Sequence, residues 1–415
     1  MFYLYDMKVL IIGHVWPEPS SSAAGSRMLQ IINVFAEAGG EVHFASTAQQ
    51  GARSYELQSL TVKTHEIKLN DSGFDAFVKA LNPKVVVYDR FMVEEQFGWR
   101  IAENCPDALR ILDTEDLHGL RNARAEALKK KQPSTNEYLI NDTAKREIAS
   151  IYRCDLSLII SEVEMELLQG FFSVPKSLLL YLPFMVEKIS DEEVADWKPF
   201  EARTDFMTIG NFKHLPNYDG VLYLKEEIWP LIRQKLPQAV LHIYGAYPSA
   251  KVEQLQNKKD GFLIHGYVEN SQEVFKNSRV CLAALRIGAG LKGKILEAMQ
   301  YGTPCVTTSI GAEGMQGDFE FNGSIENTAE NFAAAAITLY TEEEKWQKAQ
   351  KNGQKIVNNR FLAQHWSPIL RQHIEELQNS LEAHRLNNFT GSMLRHQSLQ
   401  ATKFMSKWIE EKNKS

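Results

Sequence analysis

The chain has 415 residues, of which 44% are hydrophobic and 24% charged. That length suits two domains, and the ordinary globular composition excludes a disordered, collagen-like or coiled-coil chain. Lysine and arginine total 46 against 52 acidic residues, a net charge of −6, which argues against broad nonspecific nucleic-acid binding.

No apolar run approaches the roughly 18 residues of a membrane span. The start, Met1–Asp6, lacks the basic region of a signal peptide. Cys105, Cys154, Cys281 and Cys305 are scattered, with no C-x-x-C pair. Reduced thiols in a cytoplasmic protein are therefore expected.

Lys8–Gly13 is a short apolar run rich in β-branched residues, which predicts a buried parallel strand. After a small-residue loop, Met28, Ile31, Ile32 and Phe35 recur at helical spacing, and Gly39-Gly40 stops the helix. Glu41–Thr47 predicts the next strand, completing a βαβ unit. Lys84–Tyr88, Leu109–Asp113, Leu156–Ile160 and Ser177–Tyr181 predict further strands, with a helix over Glu94–Glu103. The polar stretch Leu120–Ile148, with its lysine run Lys129–Lys131, reads as a solvated helix pair or loop.

The acidic, aperiodic segment Glu187–Pro199 predicts a linker. A second alternating series follows. Its predicted strands are Phe206–Ile209, Val240–Tyr244, Phe262–Ile264, Val280–Ala283 and Pro304–Thr308. Two such series predict an α/β chain of two Rossmann-like, doubly wound parallel-sheet domains facing across a cleft. The expected boundaries are 1–190, 200–375 and a helical tail 376–415 that returns to the first domain through Phe404, Trp408 and Ile409. Ligands of such sheets bind beyond the carboxyl ends of the strands.

The most informative stretch is Arg286–Gly302. On a helix over Leu291–Tyr301, Leu291, Ile295, Ala298 and Met299 form a buried stripe. Gly290, Gly293, Lys294 and Glu297 fall opposite. Glycines there permit close approach to the backbone, and the helix start attracts anions, helped by Lys292 or Lys294. A carboxylate one turn later suits ribose hydroxyls. The alternative is a solvated face with a Lys294/Glu297 pair. In the first domain, Asp113-Thr-Glu-Asp-Leu-His118 stands at a strand end. It reads equally as an acceptor-side cluster or as a helix N-cap in which Asp113 or Thr114 caps, with a metal site as a third reading. His14 follows the first strand, where it either faces the cleft or serves the structure. G-x-G-x-x-G, P-loop and G-x-S-x-G motifs are absent, which disfavours NAD binding, P-loop hydrolysis and a serine nucleophile.

Leu291–Gly302 with Thr303–Gly314, Gly210–Asn217, His242–Gly245 and His265–Val268 resemble the signature of family 4 glycosyltransferases of the GT-B fold, as found in bacteria. In the first domain the resemblance rests on Lys8–Gly13 and Gly25-Ser26-Arg27. It implies a glycosyltransferase of hexosyltransferase type, which moves a sugar from a nucleotide-sugar donor to a hydroxyl acceptor with retention. It implies that Glu297 binds ribose, and that the base lies at Gly266, Tyr267 and Val268. Gly13 and Gly25 would shape the acceptor and phosphate side. The first glutamate of the family's E-x7-E motif is replaced by Ala289. The usual Arg and Lys of the second domain's first loop align with Asn211 and Pro216. Diphosphate charge then falls to Lys213, Arg286, Lys292 or Lys294. Glu115, Asp116, His118 and Lys294 are the expected catalytic set, and Gly290 and Leu291 join the donor site. No metal and no cofactor besides the donor are expected. The acceptor would be a glycan, a lipid-linked sugar or a protein, in polysaccharide or glycoconjugate synthesis. The cytoplasm is the expected compartment, with contact at the inner membrane face left open. The rival readings are a nucleotide-sugar epimerase of the same fold and a non-catalytic nucleotide- or sugar-binding subunit.

Overall fold

The two alternating series fold into two parallel sheets in a computed structural model that describes residues 7–414, without the side chains of 397–399 and 414. Met1–Asp6 lies outside the described residues. The first sheet holds β1 (Lys8–Gly13), β2 (Glu41–Ser46), β3 (Lys63–Glu66), β4 (Val85–Asp89), β5 (Leu109–Asp113), β6 (Leu156–Ile159) and β7 (Leu179–Tyr181) in the order β3-β2-β1-β4-β5-β6-β7. The second holds β8 (Thr204–Ile209), β9 (Leu241–Tyr244), β10 (Phe262–Gly266), β11 (Ser278–Ala283), β12 (Cys305–Thr307) and β13 (Gly323–Ile325) in the order β10-β9-β8-β11-β12-β13. Every pairing between these strands is parallel. Strand order reverses between β1 and β4, and again between β8 and β11, so each sheet has a switch point where a crevice opens.

Helices cover both faces of each sheet, which is why β1 and β4 carry near-continuous apolar runs. Alternate residues of β1 serve opposite faces. Val9 and Ile11 pack with Ile31 and Phe35, and Leu10 and Ile12 pack with Val93 and Phe97. The two strands that sequence periodicity missed, β3 and β13, are short edge strands. Their sequences, Lys-Thr-His-Glu and Gly-Ser-Ile, carry no apolar alternation, and neither strand has a fully buried residue.

The expected linker is a packed segment. Helix Asp191–Ala195 starts with a capping box between Ser190 and Glu193. Ile189 and Trp197 are buried in the second domain's core. The chain crosses back at an isolated bridge between Val186 and Leu362. Helix Ala363–Asn379 then places Leu370, Ile374 and Leu377 in the first domain's core, so the return begins at residue 363, earlier than the expected 376. The last helix, Phe389–Lys414, lies against helices Phe91–Asn104 and Asp142–Arg153. Polar contacts anchor it: Arg100 donates to Ser406 at 3.1 Å and pairs with Glu410, and Arg395 donates to the Arg153 carbonyl at 3.0 Å. Phe404 and Trp408, expected to pack inward, are 63% and 60% exposed. Among the described residues no helix is long and apolar enough to cross a membrane.

Candidate functional site

The strand ends of both sheets face each other. On the first domain's side, Asp89 ends β4 and Asp113 ends β5, directly paired in register. Asp113 is fully buried and receives Arg27, whose Nη2 and Nε donate to Oδ1 at 2.8 and 3.0 Å. The other Arg27 nitrogen, Nη1, donates to the carbonyl of Leu182 at 2.7 Å. Asp89 accepts from the His14 backbone N–H at 2.9 Å, and Arg90 stands 3.6 Å from its other oxygen. His14 thus sits in this cluster through its backbone. Burial, and then Arg90, hold its imidazole below its ordinary range.

Glu115 follows with φ of 62°, a left-handed conformation that costs a non-glycine residue energy and recurs at functional sites. Its Oε1 is buried without a hydrogen-bond partner among the described residues. Burial, and then the Asp113 charge, push its carboxyl well above the ordinary range. Burial alone would also raise Asp116, but Arg121 and His118 overcome it and hold this carboxyl below the ordinary range. Asp116 pairs with Arg121 and lies 3.3 Å from His118 Nε2. The acidic run therefore sets two carboxyls side by side that are pushed in opposite directions, Glu115 up and Asp116 down, the kind of separation that acid–base chemistry uses.

The N-cap reading of this run is corrected. Helix His118–Lys129 starts after Leu117, which makes no side-chain cap. Its free N–H groups are met by buried carboxylates from distant helices: Glu147 accepts from His118 and Gly119, both at 2.6 Å, and Glu164 accepts from Leu117 at 2.9 Å. The same Glu164 oxygen accepts from Gly290 N–H of the second domain at 2.8 Å. Burial pushes Glu147 up to about 8 and Glu164 up to about 7. A raised carboxyl favours the folded state when protonated, so this contribution is lost as pH rises from about 4.5 through about 8. Glu147→Gln should flatten the pH dependence of the thermal midpoint across that window. An unchanged slope would remove Glu147 as its source.

On the second domain's side, the helix spans Gly293–Gln300, two residues shorter at its start than the expected Leu291–Tyr301. Gly290 precedes it, with φ of 62°. A Cβ there would come within 2.9 Å of the Asp116 Cβ, and one on Gly293 within 2.5 Å of the Ala23 Cβ. Both glycines thus admit the opposite domain rather than interrupting a helix. Gly13 and Gly25 likewise serve packing: a Cβ on Gly13 would strike the Phe44 ring, and one on Gly25 would lie 2.5 Å from the Glu18 backbone.

The candidate cations divide. Lys294 Nζ donates to Asn217 Oδ1 at 3.0 Å, and Asn217 donates in turn to the Asn211 carbonyl at 2.9 Å. Burial pushes Lys294 down to about 8. Lys292 is buried, folds back onto the Ala289 and Gly290 carbonyls, the first at 3.0 Å, and is pushed down to about 8 by burial. Arg286 points elsewhere: it pairs with Asp219 at 2.8 Å and lies over the Tyr223 ring, so its charge is spent in its own domain. Lys213 is exposed, with Nζ 3.7 Å from the Tyr247 ring centroid. Leu291 is buried in the second domain's core.

Glu297 Oε2 accepts from Ser271 Oγ at 2.7 Å, and burial raises its carboxyl. Ser271 begins the helix after β10, just beyond Gly266 and Tyr267. Tyr267 O–H donates to Ser20 Oγ at 3.0 Å, and Tyr247 O–H to the Glu18 carboxylate at 2.8 Å. Arg53 lies 4.2 Å from the Tyr267 ring centroid and 4.6 Å from that of Tyr247. Two loops of the first domain therefore cover the loops after β9 and β10. His214, which sequence reading did not single out, stands in the same gap. The protein around it, and then Arg121, hold its imidazole low.

Residues 203–342 match the family model described as Glycosyl transferases group 1. Sucrose-phosphate synthase from Thermosynechococcus elongatus superposes with a TM-score of 0.68 at 15% identity, over 90% of this chain and 100% of that one. This is the GT-B fold. HepE from Anabaena, in complex with UDP and glucose, gives a TM-score of 0.66 at 12% identity over 89% and 99% of the two chains. A glycosyltransferase from Rickettsia africae gives 0.64 at 14% over 90% and 99%. No curated protein matches by sequence. Within this GT-B chain the acidic run and the Glu297 helix, far apart in sequence, stand on facing walls of one cleft. Arg27, Arg90, Glu164 and Asn217 join them; Arg27 follows the Gly25-Ser26 pair and Asn217 closes the Gly210–Asn217 motif, whereas Glu164 carries no local sequence signal.

Proposed function

We propose that this protein is a retaining glycosyltransferase that moves a sugar from a nucleotide diphosphate donor to a hydroxyl acceptor. The observation that carries this reading is Glu297: a carboxylate held by Ser271, one turn into a helix whose start carries Lys294, beside the loop of Gly266 and Tyr267. That arrangement suits ribose, diphosphate and base in sequence. HepE, of the same fold, is in complex with UDP and glucose. In the reaction the bond from the anomeric carbon to the diphosphate oxygen breaks. The bond to the acceptor oxygen forms on the same face, and the acceptor's proton leaves with the diphosphate. Helix N–H groups and Lys294 stabilise the developing negative charge, and Glu115, Asp116 and His118 line the acceptor side. The setting is polysaccharide or glycoconjugate synthesis in the cytoplasm.

The reading is metal-independent. Among the described residues no group of three or more His, Cys, Asp or Glu side chains is arranged to hold a metal ion. Transfer from nucleotide sugars should survive excess EDTA, and Lys294→Ala should slow it by about tenfold or more, on the order of 1.4 kcal/mol of transition-state stabilisation. Activity abolished by EDTA and restored by Mg²⁺ would overturn this charge assignment. Calorimetry with UDP, GDP and ADP tests the donor site directly: binding of none of them would defeat the whole reading.

A further inference from the structure

A groove of about 420 Å³ lies on the first domain, walled by Leu120, Leu139, Val163, Leu167 and Phe171, with exposed residues 134–136 and Glu166 as its polar edge. Three observations define what it can hold. First, one of its walls reaches the domain boundary. Arg124 lines it and also donates to the Gly288 carbonyl at 2.7 Å, across the domain boundary. Second, the cation at that end is neutralised: both terminal nitrogens of Arg124 bind Glu313, at 2.7 and 2.6 Å. At the junction the groove therefore presents no unpaired cation, while Glu166, exposed in the same lining, keeps the groove's solvent side charged. Third, one helix serves both places. His118 and Arg121 begin helix His118–Lys129 at the cleft, while Leu120 and Arg124 line the groove. The rise from His118 to Arg124 is about 9 Å, a span that a short alkyl chain covers.

We propose that the groove holds the hydrocarbon chain of an amphiphilic acceptor whose sugar hydroxyl lies in the cleft beside His118 and Arg121. The inference rests on the glycosyltransferase reading and names its acceptor class. A chain in the groove buries Val163, Leu167 and Phe171, which are otherwise partly or largely open to water, and burial of apolar surface supplies affinity in proportion to chain length. The lysine run Lys129–Lys131, exposed between the groove's two lining segments, keeps its mouth polar.

The test compares octyl β-glucoside with methyl β-glucoside by calorimetry on the full chain, with the detergent kept below its micelle concentration. The octyl compound should bind at least tenfold more tightly. Phe171→Asp, and separately Ser134→Trp, which fills the groove from its exposed edge, should each abolish that difference. Both variants should bind UDP as the parent does, which shows that they are folded. Equal affinity for the two glucosides, or a chain-length preference that survives both substitutions, would overturn the proposal. Absence of UDP binding in the parent would defeat the donor reading instead, and the glucoside comparison would still decide the groove.

Discussion

Arg27→Ala should lower stability by about 3–5 kcal/mol, the usual cost of removing one partner from a buried ion pair. Arg27 and Asp113 are both completely buried. Two of the guanidinium nitrogens bind the carboxylate, and the third donates to the carbonyls of Leu182 at 2.7 Å and Pro183 at 3.3 Å. Alanine would leave an unpaired carboxylate beside Asp89 and Glu115 and two carbonyls without donors. The expected readout is a lower urea midpoint for the first domain's transition. Arg27→Lys should recover little, because one ammonium cannot match a planar fork that serves a carboxylate and two carbonyls. A midpoint within experimental error of the parent would show that the pair contributes nothing net. The pair also fixes the start of the acidic run, so the surviving fold should show weakened turnover.

Glu297→Ala should weaken nucleotide binding by about 1.5–3 kcal/mol, the range for hydrogen bonds to a charged group. That corresponds to a rise in Kd of roughly ten- to 150-fold. Stability should change little. Burial outweighs the Ser271 hydroxyl and the Lys294 charge and raises the carboxyl of Glu297, so its charged form draws little from folding. Ser271→Ala is the control. It removes the group that orients the carboxylate while keeping the carboxylate itself, so its loss should be smaller. Calorimetry showing equal nucleotide affinity in Glu297→Ala and parent would remove Glu297 from the ribose.

The sequence by itself determined the architecture. A strand covered on both faces buries nearly every side chain, so β1 and β4 are written as short β-branched runs. The helix that bears Glu297 was written as a stripe of Ile295, Ala298 and Met299, which is buried as expected. Such signals are local, because burial of a whole face leaves its period in consecutive residues. The edge strands β3 and β13 escaped because Lys-Thr-His-Glu and Gly-Ser-Ile bury no residue fully and so leave no apolar period, unlike the apolar edge strands β7 and β10.

The tertiary structure alone decided how charges are used. The sequence leaves Asp113 open to a capping role, and the fold gives it to Arg27, 86 residues away. The helix it was expected to cap is served by Glu147 and Glu164, and Glu164 reaches Gly290 across 126 positions. Arg286 is a donor-site cation by sequence, and Asp219, 67 residues before it, takes its charge in the fold. The expected linker proved to be core, because Trp197 packs over Gly302. In each case the choice of partner depends on which groups are desolvated together. Coulomb attraction and hydrogen bonding act over a few ångströms, and no spacing along the chain records which distant residues the fold will bring that close.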